Sequence, residues 1–116
     1  DAYNANPTSM KTSLEFFTTV PSSLPKMVIL GEMKELGEIS RVEHQRMLDF
    51  LQKQSYARVY LVGDIFRELI PANATYHFFE DVEALIKSLN EDPLTGYYIL
   101  LKGSHSVHLE KAVDNL

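Results

Sequence analysis

The sequence has no cysteine. That excludes disulfides, thiolate catalysis, cysteine-ligated zinc and iron–sulfur clusters. It fits a reducing compartment without requiring one. No apolar run approaches the ~20 residues a membrane-spanning helix needs. The opening residues, Asp1–Pro7, lack the charged and apolar regions of a secretory signal. Positive charge is also scarce: 11 Lys/Arg stand against 16 Asp/Glu, for a net charge of −5. The first 58 residues are balanced at seven and seven, and the remainder holds four against nine. With no basic footprint, binding to nucleic acid is not expected. No Gly-x-x-x-x-Gly-Lys phosphate loop occurs anywhere in the chain. Repeats, low-complexity runs and long linkers are absent as well.

What is present is one domain's worth of chain, 116 residues that are 45% hydrophobic. A chain of this size buries roughly two thirds of its unfolded surface and needs no staple. Asn6 and Pro7 read as an N-cap and first helical residue, with Met10, Leu14 and Phe17 along one face. After Pro21–Pro25, Met27–Gly31 reads as a strand buried on both faces. Ser40 and Glu43 have capping-box spacing and open a helix to about Gln54, with Met47, Leu48 and Leu51 inward. Arg58–Asp64 is a second strand, followed by a short helix, Ile65–Leu69. Thr75–Phe79 is a third strand, and Asp81 caps a helix carrying Val82, Leu85, Ile86 and Leu89. Tyr97–Gly103 is a fourth strand, and Leu109, Ala112, Val113 and Leu116 mark a last helix. Core packing accounts for most of Phe16, Phe17, Tyr60, Tyr76, Phe78, Phe79, Tyr97 and Tyr98, whereas Tyr3 lies in a polar turn.

This alternation predicts a Rossmann-like three-layer α/β domain, with a mainly parallel sheet and helices on both faces. Such sheets bind ligands beyond the carboxyl ends of their strands. Those ends are Gly31-Glu32, Gly63-Asp64 and Lys102-Gly103-Ser104, with Asp1–Asn6 a fourth if Asp1 trails a strand. The first residue is Asp rather than Met, so a parent polypeptide extending upstream is expected.

Three segments carry candidate chemistry. Asp1–Pro7 puts a carboxylate, a phenol and two amides on a turn beside a helix N-terminus, which suits a carboxylate or phosphate. The alternative is a well-capped turn without a ligand. Lys102–Ser106 reads as an anion cradle of cation, glycine, hydroxyls and imidazole. Its alternative is a serine-capped helix with Lys102 solvated. Leu30–Glu38 has three carboxylates for Mg²⁺, but a solvated loop explains it better. His44, His77, His105 and His108 lack zinc spacing, and no Ser/His/Asp triad can be picked out.

These segments resemble known signatures. Asp1-Ala2-Tyr3-Asn4-Ala5-Asn6-Pro7-Thr8-Ser9-Met10 is similar to the "D-x-YNANP-x-SM" turn of the D-alanyl-D-alanine-adding Mur ligases. Leu30–Met33 with Glu35–Glu38 and His44 resembles the family's "LGDM-x-ELG…H" segment. Lys102–Ser106 resembles its "KGSRS" loop. The order matches and nearly the whole chain is spanned. Glu32 stands where Asp is usual, keeping the charge, and His105 where Arg is usual, removing a permanent cation.

The resemblance implies the C-terminal, amino-component-binding domain (residues 1–116) of a three-domain cytoplasmic bacterial enzyme, without its N-terminal and central domains. That family uses ATP and Mg²⁺ to activate UDP-N-acetylmuramoyl-tripeptide as an acyl phosphate, which D-Ala-D-Ala then attacks. By the same resemblance Asp1 faces the nucleotide. Asn4 and Asn6 contact the dipeptide or acceptor end, Lys102 and Ser104 hold the dipeptide carboxylate, and Tyr3 lines the cleft. No residue here is expected to be catalytic alone or to bind a metal. One alternative is another Mur or folylpolyglutamate-type ligase. Another is a stand-alone doubly wound ligand-binding or regulatory module, where Glu32, Asp64 and Lys102 mimic a receiver site that gives the Asn-Ala-Asn-Pro turn no role.

Overall fold

In the computed structural model, residues 5–72 and 74–116 are described. Among the described residues, four strands form one sheet in the order β3-β2-β1-β4. They are β1 (Lys26–Gly31), β2 (Arg58–Val62), β3 (His77–Phe79) and β4 (Tyr98–Lys102). All three pairings are parallel. The helices are α1 (Pro7–Thr19), α2 (Ser40–Gln52), α3 (Ile65–Leu69) and α4 (Val82–Glu91).

Strand alternation divides the core in two. Val28, Leu30, Val59 and Leu61 face α1, α2 and α3 through Met10, Leu14, Leu48 and Phe66. Met27, Ile29, Tyr60 and Val62 face α4 through Val82, Leu85 and Leu89, joined by Leu94, Leu109 and Ala112. Because β1 and β2 are interior and covered on both sides, they read as continuous apolar runs rather than alternating ones.

Two helix starts form as expected. Asn6 has extended backbone, its Oδ1 accepts from Ser9 N at 2.9 Å, and Ser9 Oγ accepts from Asn6 N at 3.1 Å. Asp81 likewise accepts from Ala84 N. The expected capping box at Ser40 does not form. A 3₁₀ turn over Gly37–Ile39 runs directly into α2, so Ser40 is already helical and Ile39 occupies the cap with no side-chain bond. Glu43 pairs instead with Arg46.

Other expectations are corrected at the margins. Helix α2 ends at Gln52, and β3 holds only three residues. The last helix is 3₁₀ over Leu109–Asn115, and a three-residue repeat buries Leu109 and Ala112 but leaves Val113 and Leu116 exposed. Most of the aromatic residues pack inward as expected, with Phe16 and Tyr98 exposed. No helix among the described residues is long and apolar enough to cross a membrane.

Candidate functional site

The carboxyl ends of β1, β2 and β4 converge, and backbone bonds lock them. Glu32 N donates to Val62 O at 3.0 Å, tying the end of β1 to β2. Ser104 N donates to Glu32 O at 3.3 Å, tying in β4. Glycines make this closeness feasible. A Cβ on Gly103 would lie 2.9 Å from the Gly31 Cα. Gly63, at φ +131°, leaves room for the Glu32 side chain, whose Cγ lies 2.8 Å from where a Cβ would stand.

Ser104 stitches three segments together. Its Oγ accepts from Lys34 N at 2.7 Å and donates to Ala5 O at 3.3 Å. The turn before α1, the loop after β1 and the loop after β4 thus meet at one hydroxyl. That hydroxyl's single proton is committed to Ala5, which leaves it acceptor capacity for a ligand. The serine-cap alternative fails here, since Ser104 makes no side-chain cap bond.

Lys102 is only 2% exposed, so the solvated-lysine alternative is excluded. Burial of a lysine is rare unless the ammonium is satisfied. Asn6 lies at the exposed rim. With Oδ1 spent on the cap, its Nδ2 has no partner among the described residues and keeps two donors. Asp1, Tyr3 and Asn4 lie outside the described residues. The structure therefore brings Asn6 and Ser104 together through Ala5.

Charge around the site is modest. Glu32 pairs with Lys34 at 2.6 Å in a partly exposed ion pair. Beyond the Lys102–Ser104 loop, the His105 and His108 rings meet edge-on at 5.5 Å, and His108 Nδ1 lies 3.2 Å from Glu110. Among the described residues, no cluster of three or more His, Asp or Glu side chains fits a metal ion.

The sequence left His44 without a role. It is fully buried, with Nε2 accepting from Met33 N at 2.9 Å and Nδ1 2.7 Å from Ser40 O. Burial lowers its pKa, so the neutral ring is favoured. The sequence also gave no sign of a cleft of about 800 Å³ between α1 and α2. Met10, Leu14, Met47 and Phe50 line it, and Met33 reaches it from the β1 loop. Helical periodicity places those side chains inward but cannot report the gap between two helices.

Comparison with known proteins adds a separate observation. The family model described as "Mur ligase, glutamate ligase domain" matches residues 1–105. The UDP-N-acetylmuramoyl-tripeptide–D-alanyl-D-alanine ligase of Rickettsia prowazekii is 38% identical, over 98% of this chain and 26% of its own length. The Bacillus subtilis protein of that name is 31% identical, over 100% and 27%. A solved MurF ligase from Thermotoga maritima, in complex with ADP, superposes with a TM-score of 0.75 at 27% identity, covering 99% of this chain and 26% of that one. MurF from Acinetobacter baumannii gives 0.81 at 24% identity, over 100% and 26%, a likeness of fold. The chain spans about a quarter of the length of the relatives it matches.

Proposed function

The chain belongs to the Mur ligase, glutamate ligase domain family, and from that membership we propose that it is the C-terminal domain of a D-Ala-D-Ala-adding ligase. The parent joins D-Ala-D-Ala to UDP-N-acetylmuramoyl-tripeptide in the bacterial cytoplasm, as one step in building the cell wall. Residues 1–116 form one domain that receives the amino component, while N-terminal and central domains lie elsewhere in the parent. The observation that carries this reading is the joint at Ser104. It brings Ala5 before α1, the loop after β1 and the Lys-Gly-Ser loop to one place. Each belongs to one of the three segments whose resemblance points to this ligase.

ATP, when bound, would supply the phosphoryl group that activates the tripeptide carboxylate, leaving as ADP, and Mg²⁺ would neutralise the phosphate charge. Among the described residues no cluster of three or more His, Asp or Glu would hold a metal ion, and the resemblance assigns ATP and Mg²⁺ mainly to the central domain of the parent. What this domain supplies is positioning and neutralisation for an incoming amine. Asn6, whose Nδ2 has no partner among the described residues, and Asn4 contact the dipeptide or acceptor end. Lys102 and Ser104 stand at the dipeptide carboxylate, Tyr3 lines the cleft and Asp1 faces the nucleotide.

The test is ATP-dependent ligation by the full-length parent, with D-Ala-D-Ala offered beside D-Ala, L-Glu and L-Lys. The expected product contains D-Ala-D-Ala alone. Consumption of glutamate would transfer the domain to a folylpolyglutamate-type or other Mur ligase. Retention of a ligand by this chain without any ligation in the parent would favour a binding module. The 116-residue chain by itself is expected to release no phosphate from ATP.

A further inference from the structure

The backbone amides of Met33 and Lys34 are each held by one side chain from a distant part of the fold. Lys34 N donates to Ser104 Oγ from the end of β4. Met33 N donates to His44 Nε2 from the first turns of α2. An amide nitrogen can only donate here, so Nε2 is the bare nitrogen of the ring. Nδ1 then carries the proton and donates to Ser40 O. Phe66 of α3 closes the remaining side, edge-on at 5.3 Å. The ring is thus fixed in one tautomer and one orientation by three elements.

We propose that His44 is a positioning residue which, in its neutral Nδ1–H form, clamps the Glu32–Lys34 loop against the strand-end site, and that its protonation releases that loop. The physical reason is local. A proton added at Nε2 would set two N–H donors against each other at 2.9 Å, and the Met33 contact has to open. The charged groups facing the ring are Glu32 and Lys34 from the loop and Glu43 from its own helix. From α3 the ring meets Phe66. The loop then keeps its bonds on the strand side alone, from Glu32 to Val62 and Ser104 and from Lys34 to Ser104.

The structural half of this proposal stands on the geometry, and its kinetic half rests on the ligase reading. Two substitutions divide the ring's functions. His44→Gln keeps an acceptor at the ε position for Met33, and His44→Asn keeps only a donor at the δ position for Ser40. Amide hydrogen exchange in the 116-residue chain is expected to speed at Met33 by about tenfold in His44→Asn, the effect of one hydrogen bond. His44→Gln is expected to stay close to wild type. In the full-length parent, KM for D-Ala-D-Ala should rise in His44→Asn and be rescued in His44→Gln, with kcat less affected.

A titration needs no substitution. In the wild-type chain, ¹⁵N signals of the His44 ring and of the Met33 amide should shift together, with one midpoint. Equal behaviour of the two variants, or a Met33 amide that ignores His44 titration, would overturn the proposal. If the wild-type parent forms no product, the ligase reading fails, while exchange and titration still decide the clamp.

Discussion

Gly103 and Gly31 approach so closely that a Cβ on the first would sit 2.9 Å from the Cα of the second. The neighbour is backbone, so it cannot swing aside as a flexible side chain does. Gly103→Ala must push β4 away from β1 at the mouth of the site. The expected cost is about 1–3 kcal/mol, read as a lower urea midpoint with an unchanged slope. In the parent, the same change should impair ligation beyond what the lost stability explains.

Ser104→Ala removes one acceptor and one donor together. Lys34 N and Ala5 O then lose their partners at a largely buried position. Unsatisfied groups of this kind cost about 1–3 kcal/mol. Denaturant unfolding should show that loss, and the exchange of the Lys34 amide should quicken with it.

Asn6 has two separable duties. Its Oδ1 caps α1, and its Nδ2 donors remain for a ligand. Asn6→Asp keeps a capping oxygen and removes the donors, whereas Asn6→Ala removes both. The alanine variant should lose about 1 kcal/mol of stability while the aspartate variant holds it. Both should raise KM for D-Ala-D-Ala or lower kcat in the parent. Wild-type kinetics in the folded aspartate variant would remove Asn6 from the site.

Stability should depend on pH through His44. Burial lowers its folded-state pKa below the ordinary 6.5. As pH falls, the unfolded chain takes up this proton first. The contribution is therefore whole above pH 6.5 and declines as pH drops from there towards the folded-state value. Urea midpoints compared at pH 7.5 and 5.5 should fall more steeply for wild type than for His44→Gln. Parallel declines would assign the acid sensitivity to other groups.

Much of this architecture is legible in local pattern. Asn6-Pro7 followed by Met10, Leu14 and Phe17 specifies a capped helix and its buried face within a dozen residues. Continuous apolar runs ending in glycine mark β1 and β2 as interior strands. Ser40 shows where local pattern stops. A capping box needs an extended cap residue, and whether the chain arrives extended depends on the turn before it, which here is 3₁₀. The site divides the same way. Strand ends and glycines locate it, but the burial of Lys102 and the partners of Ser104 and His44 come from loops far apart in sequence.

The strand order has a consequence for how the chain is assembled. Among the described strands β1 comes first in the sequence and lies in the sheet's interior, yet its partner on one side, β4, begins at Tyr98. Throughout synthesis of the intervening seventy or so residues, one row of β1 backbone groups waits for β4. Pairings so distant in sequence close slowly, and they expose apolar strand surface while they wait. The last of the described strands thus completes the pairing of the first, and nascent chains stalled before Tyr98 should be the species that chaperones hold.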